Sequence, residues 1–331
     1  MTAASAGQAA PILRVEDLKV VVRGRRRPLR VVDGLHLDVF PGRVTGVAGE
    51  SGSGKTISMM AVLGLLPLGA QASGAAWFGG RDLLSVPRQE LNGVRGKDIA
   101  LVMQDPRSSL HPMLSVGAQL TDHLRHHLHI GEREARRRAA DLLHQVRIPD
   151  PVGSLNAYPH EFSGGMCQRI SIAIALACDP RILIADEPTT GLDVTVQAGI
   201  LHLLRELGEA HGLGIVLITH DLGVLSGLAD TVSVMYAGRI VESGPTSIVL
   251  TSPRHPYTHA LLAALPRPDR SDQVLSPIPG NLGPPHRWPQ GCAFHPRCQY
   301  RRSECSEVVP DLVAVGSSQQ HACLVDPLAS T

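Results

Sequence analysis

The sequence predicts an α/β protein built around a mostly parallel sheet, on three observations. First, "RILIADEP" (residues 181–188) and "GIVLITHD" (residues 214–221) are short apolar runs, rich in β-branched residues, that end in acids. That is the pattern of strands buried on both faces. Second, "RVTGVAG" (residues 43–49) is a similar run that enters a Gly-rich turn and then a helical pattern, "KTISMMAVLGLL". Third, residues 112–178 read as mostly helical, which places a block of helices between strands.

In chain order, residues 1–11 read as a disordered leader of small residues. "ILRVEDLKVVV" and "LRVVDGLHLDVF" alternate and are rich in valine, which predicts two strands. The basic stretch Arg23–Pro28 between them reads as a solvated hairpin tip, with binding of anionic lipid or phosphate as the alternative. After the buried strand and its helix, "DIALVMQ" reads as another strand, then come the helical block and the two acid-ended strands. "TVSVMYAGRIVESG" predicts a hairpin turning at Ala237-Gly238. After Pro253 proline and glycine become dense, most of all in "SPIPGNLGPPHRWPQG", a linker-like stretch that leads to a group of cysteines. No internal repeat is visible.

Composition narrows the function classes. The chain has 331 residues, 43% hydrophobic and 18% charged, enough for a sizeable core and an appendage. A formal net charge of +1 gives no basic field for nucleic acid. Six cysteines in this length are not a secreted disulfide scaffold. The first residues lack the basic and apolar regions of a signal peptide. The longest apolar run, "ISIAIALAC", is about half the ~18 residues of a membrane span. These features predict a soluble, cytosolic protein, for which other chains would supply any membrane span.

The turn "GESGSGKT" matches the phosphate-binding loop G-x-x-x-x-G-K-[ST] at every fixed position, with a strand before it and a helix after it. Its residues are Gly49, Glu50, Ser51, Gly52, Ser53, Gly54, Lys55 and Thr56. The glycines let backbone N–H groups close on phosphate oxygens, and the helix points its positive end at them. Lys55 is placed to reach the terminal phosphates and Thr56 to hold Mg²⁺. Asp186, at the end of a buried strand, is suited to hold Mg²⁺ through water, and Glu187 to deprotonate the attacking water. Ser163, Gly164 and Gly165 open a helix and form a second candidate anion site; taken alone, such a segment is usually just a cap. One ATP could touch both sites only if they came from different subunits.

The order of these motifs, with Gln104 in "VMQDP", "GLD" (residues 191–193) and His220 after "VLITH", resembles the ATP-binding cassette ATPases from residue 12 to about 245. The resemblance implies a phosphate-loop fold with a RecA-like core, an antiparallel β subdomain and a helical subdomain. It also implies a head-to-tail dimer in which each ATP lies between the phosphate loop of one subunit and Ser163–Gly165 of the other. Gln104 would sense Mg²⁺ and water, Asp193 would couple the two sites, and His220 would contact the γ-phosphate. Three positions depart from the pattern. Val22 stands where the family stacks an aromatic on adenine, Cys167 where arginine is usual, and His111 where close relatives carry asparagine. Cys167 reads as a small neutral replacement rather than a reactive thiol.

"SPRHPYTHALLAALP", with His255-Pro256-Tyr257, and the late cysteines resemble one branch of that family, the ATP-binding subunits of importers for dipeptides, oligopeptides and nickel. Expected domains are an ATP-binding domain over 12–252 and a C-terminal oligopeptide-transporter-type region over 253–331. Cys292, Cys298, Cys305 and Cys323 follow the spacing C-x5-C-x6-C-x17-C, which matches neither common zinc knuckles nor the usual ferredoxin runs. By itself the spacing gives only four neighbouring thiols. The resemblance implies a [4Fe-4S] cluster, with zinc or unligated thiols as alternatives, pinning a tail that lacks its own core. His123, His126, His127 and His129 form a rival cluster that reads as a solvated helical face, because no cysteine or carboxylate pattern completes a site.

The expected function is ATP hydrolysis, with ATP and Mg²⁺ as cofactors, that powers peptide import at the cytoplasmic face of the membrane. Expected partners are two transmembrane permease subunits, a second ATPase subunit or a copy of this chain, and an extracellular solute-binding protein; nucleic acid is not one. A nickel or other small-solute importer is the alternative. A soluble cassette ATPase acting on DNA or ribosomes fits less well, since the chain has one phosphate loop and no heptad stretch.

Overall fold

The structure, a computed structural model, describes residues 10–24, 27–265, 278–316 and 318–328. Most of the expected leader, residues 25 and 26 of the basic loop, and the first two residues of the Pro-rich stretch lie outside the described residues. The strands are β1 (Leu13–Val22), β2 (Leu29–Val39), β3 (Val44–Ala48), β4 (Gln71–Phe78), β5 (Arg81–Asp82), β6 (Ile99–Val102), β7 (Ile182–Asp186), β8 (Gly214–Thr219), β9 (Thr231–Tyr236), β10 (Arg239–Pro245), β11 (Val313–Val315) and β12 (Gln319–His321). The helices are α1 (Lys55–Val62), α2 (Arg88–Val94), α3 (Pro106–Ser109), α4 (Val116–Leu128), α5 (Glu132–Gln145), α6 (Pro151–Ser154), α7 (Gly164–Leu176), α8 (Val194–His211), α9 (Leu222–Leu228), α10 (Thr246–Thr251) and α11 (Pro256–Ala263). The chain forms two compact units.

The first unit holds residues 39–44 and 86–217. Its strands stand in the order β8, β7, β6, and β6 and β7 run parallel, as the apolar run of β7 predicts. Every residue of β7 is buried. The helical block forms because its apolar residues recur at helical spacing. In α5 the stripe is Ala135, Ala139 and Leu143, and in α4 it is Val116, Leu120 and Leu124. Both stripes meet α7, whose Ile170, Ile172 and Ala173 are fully buried. Each large aliphatic side chain buried this way contributes about 1.5–3 kcal/mol.

The second unit holds residues 13–38 and 45–85 and the chain from 218 onward. One of its sheets has the order β2-β1-β4-β5, with β1 and β4 antiparallel. This is the antiparallel β layer that the resemblance implies. Of its strands, β4 and β5 are not announced by the sequence: "QASGAAWF" is broken by glycine and rich in alanine. In the other sheet β11, β12, β10, β9 and β3 follow one another, with β3 parallel to β9. The hairpin β9–β10 turns at Ala237 and Gly238, both at positive φ, as expected of a two-residue hairpin turn.

Two expectations change. The helix after the phosphate loop stops at Val62 instead of running through "LGLL", because Leu63 already leaves helical geometry. The tail also has more structure of its own than its composition suggests. Its strands β11 and β12 extend the sheet edge at β10, and Phe294, Cys305, Ala322 and Leu328 are buried.

Candidate functional site

In the second unit β3 ends at Ala48 and the chain turns through residues 49–54 into α1. Gly49 has φ +150°, and a Cβ there would lie 2.2 Å from the Met235 carbonyl oxygen, so no side chain fits. The Ser53 carbonyl accepts the Gly238 N–H at 2.8 Å, which ties the loop to the β9–β10 turn. Lys55 is buried, and its ammonium donates to the carbonyls of Gly49 (2.7 Å) and Glu50 (3.0 Å). It therefore lies over the loop, where anionic oxygens would compete for it. Thr56 is exposed at the start of α1. His220 is exposed directly after β8.

Glu50 is held by two side chains from the far end of the sequence. Its backbone N–H donates to the Tyr257 hydroxyl at 2.9 Å, and its carboxylate accepts from Arg297 Nη1 at 2.9 Å. Tyr257 stands in the "HPY" segment and Arg297 just before Cys298, yet nothing local in the sequence links either to the loop.

In the first unit the sheet register builds the hydrolytic end. Val102 pairs with Ala185, which brings Gln104 alongside Glu187. Gln104 Nε2 and the Thr190 hydroxyl both donate to Glu187 Oε2, each at 2.9 Å. Asp186 is buried at the end of β7. Glu187 has φ +46°, a left-handed conformation that costs a non-glycine residue about 1–2 kcal/mol. Sequence reasoning did not foresee Thr190; its position three residues after the acid, in "ADEPTT", is the available signal.

Ser163 caps α7, its hydroxyl accepting the Met166 N–H at 3.4 Å, and Gly164 and Gly165 form the first turn. Asp193 caps α8 by accepting the Val196 N–H at 2.9 Å, and is exposed. Cys167 is buried and its thiol donates to the Pro159 carbonyl at 3.4 Å. Burial pushes that thiol's pKa up, which disfavours the reactive thiolate. His123 and His127 pack ring to ring at 4.8 Å, and His123 Nε2 lies 3.3 Å from the Gly96 carbonyl. Burial lowers the pKa of His123 and His127, which are half-buried, while His126 and His129 are exposed.

The four late cysteines of the second unit line one small cavity with Phe294 and Tyr300. The Cys292 N–H donates to the Cys305 carbonyl at 2.9 Å. Burial, and then the other three cysteines, push the Cys292 thiol up to about 11. Burial and neighbouring thiols also raise Cys298 and Cys323. Among the described residues, no three His, Cys, Asp or Glu side chains stand close enough together to hold a metal ion.

Residues 32–190 match the ABC transporter family model, and residues 241–305 match the oligopeptide/dipeptide transporter C-terminal region. The chain is 42% identical over 313 residues to the dipeptide transport ATP-binding protein DppD of Escherichia coli (strain K12), covering 94% of this chain and 96% of that one. It is 43% identical over 325 residues to the oligopeptide transport ATP-binding protein OppD of Salmonella typhimurium, covering 97% and 96%. The fold is similar to that of a dimeric bacterial ABC transporter cassette, with a TM-score of 0.64 at 24% identity over 71% of this chain and 98% of the other. This last likeness is one of fold.

Proposed function

The chain belongs to the ABC transporter ATP-binding family, in the branch that carries the oligopeptide/dipeptide transporter C-terminal region, and on that premise we propose how it hydrolyses ATP to power peptide import. Gly49–Thr56 wrap the phosphates, with Lys55 leaving the loop carbonyls for the β- and γ-phosphates. Thr56, Asp186 and Gln104 are the residues that would hold Mg²⁺, which would supply positive charge to the terminal phosphates. Glu187 takes the proton of the attacking water, His220 steadies the γ-phosphate, and the P–O bond to the leaving ADP breaks. Ser163, Gly164, Gly165 and Asp193 serve the ATP bound to a second ATPase subunit, in a head-to-tail dimer.

The observation that carries this reading is the setting of Glu187. It is a partly accessible carboxylate on left-handed backbone, steered by Gln104 and Thr190. Glu187→Gln should keep ATP binding and cut turnover at least a hundredfold, on the order of a lost general base. ATPase rates near wild type in the assembled transporter would sink the assignment.

Among the described residues no helix is long and apolar enough to cross a membrane. At the cytoplasmic face the chain attaches through two permease subunits, with an extracellular solute-binding protein delivering the ligand. Peptide is favoured over nickel by the names of the similar proteins. Residues 12–252 form the ATP-binding domain and 253–331 the region that attaches to it.

The four cysteines fit a metal centre in one respect. Thiols that share one cavity are those a cation could bind together and deprotonate. Holding one requires the sulfurs to draw closer together than they stand here. The reading is a [4Fe-4S] cluster on Cys292, Cys298, Cys305 and Cys323, with zinc as the alternative. Anaerobically purified protein should carry about four irons and four labile sulfides per chain. Stoichiometric zinc in place of iron would reject the cluster, and metal-free protein would reject both.

A further inference from the structure

The C-terminal region reaches the phosphate loop at Glu50, through Tyr257 and Arg297. The Arg297 side chain is 9% exposed and the Glu50 side chain 24%, so their pair is far drier than a surface ion pair. The guanidinium is fixed on every side. Its Nε donates to the Pro279 carbonyl at 2.8 Å, Nη2 to the Gly280 carbonyl at 3.3 Å, and Nη1 also to the Tyr236 hydroxyl at 3.2 Å. It lies 5.8 Å from the Tyr236 ring centre and 5.9 Å from that of Phe294. Tyr257 is fully buried between the same rings, at 4.6 Å from Tyr236 and 5.3 Å from Phe294. Its hydroxyl has little freedom to leave the Glu50 N–H.

Glu50 is the second residue of the loop, so its carboxylate sits beside a site built for a polyanion. Unpaired, that charge would repel the phosphates, and in a partly buried setting water would screen it poorly. Taking the reading of Gly49–Thr56 as the ATP site as given, we infer that Arg297 and Tyr257 are positioning residues for nucleotide binding. Arg297 neutralises Glu50, Tyr257 holds the loop's first turn, and ATP affinity thereby depends on a docked C-terminal region. A transporter subunit built this way loses nucleotide affinity whenever that region loosens.

The test is ATP binding by calorimetry and steady-state ATPase kinetics on the full chain. Arg297→Ala should weaken ATP binding on the order of tenfold, the size of coupling expected for a direct charged pair. The loss should fall on KM for ATP more than on kcat. In the Glu50→Gln background the same Arg297→Ala change should cost no more than about twofold, because no carboxylate is left to expose. A side chain that only supported the fold would cost the same in both backgrounds, and that result overturns the inference. Tyr257→Phe keeps the ring and removes one hydroxyl; it should weaken binding about threefold, as for one hydrogen bond. If Arg297→Ala does not fold, Tyr257→Phe decides, and unchanged affinity there overturns the inference. Lys55→Ala checks the premise separately: retained ATP binding would overturn the reading of the loop, and this inference with it.

Discussion

Glu187, directly after β7 in the first unit, and Glu242, within β10 in the second, are carboxylates built in opposite ways. Glu187 is partly accessible, sits on left-handed backbone, and takes side-chain hydrogen bonds from Gln104 and Thr190. Glu242 is fully buried and takes the backbone N–H groups of Arg254 (2.7 Å) and His255 (3.0 Å) and the Gln319 amide (2.7 Å). The donors around Glu242 all come from the C-terminal region, so this one side chain ties β10 to α11 and β12. Beside it, Arg254 pairs with Asp326. A carboxylate meant for chemistry keeps room for water and substrate. One meant for architecture is saturated with donors, which is what makes burying it tolerable.

The comparison makes opposite forecasts for the same substitution. Glu187→Gln should remove turnover while the melting temperature stays within about a degree, since a partly exposed side chain carries little stability. Glu242→Gln should leave the ATP chemistry in place but cost about 2–3 kcal/mol of stability, because its new NH₂ must face a buried N–H donor. Equal melting temperatures for the two variants would break the comparison.

A smaller effect is expected at Thr190. Thr190→Val removes a donor that aims Glu187, and should lower kcat about fivefold with little change in KM for ATP. An unchanged kcat would remove Thr190 from the aiming of the base.

The smallest effect concerns pH. His255 is buried at the start of α11 and accepts the Tyr257 N–H at 3.0 Å. Burial, helped by neighbouring His321, lowers its pKa to about 3. The unfolded chain therefore binds a proton near pH 6.5 that the folded chain refuses, and stability falls as pH drops from about 6.5 towards 3. His321, lowered by burial, acts in the same direction, while Glu242, raised by burial, acts against it. The melting temperature should fall on acidification from pH 7 to 5, and less steeply in His255→Asn, which keeps a capping acceptor. Parallel pH profiles for the two proteins would remove His255 from the account.

The sequence by itself determined the parts whose chemistry or burial demands fixed residue types at short range. The phosphate loop is legible because glycine, lysine and a hydroxyl must stand at set spacings within eight residues. The strands β7 and β8 are legible because strands covered on both faces are apolar throughout. The hairpin at Ala237-Gly238 is legible because few residues accept its backbone. Tertiary structure alone decided the rest. "VESG" is only the end of the expected hairpin, and the arrival of Arg254, His255 and Gln319 makes Glu242 a buried keystone. Gln104 meets Glu187 through strand register across 83 residues, and Tyr257 and Arg297 meet Glu50 across 207 and 247. Periodicity and motif spacing report the neighbours a residue has along the chain. The charge that faces Glu50 is set by how the chain folds back, and no local pattern encodes it.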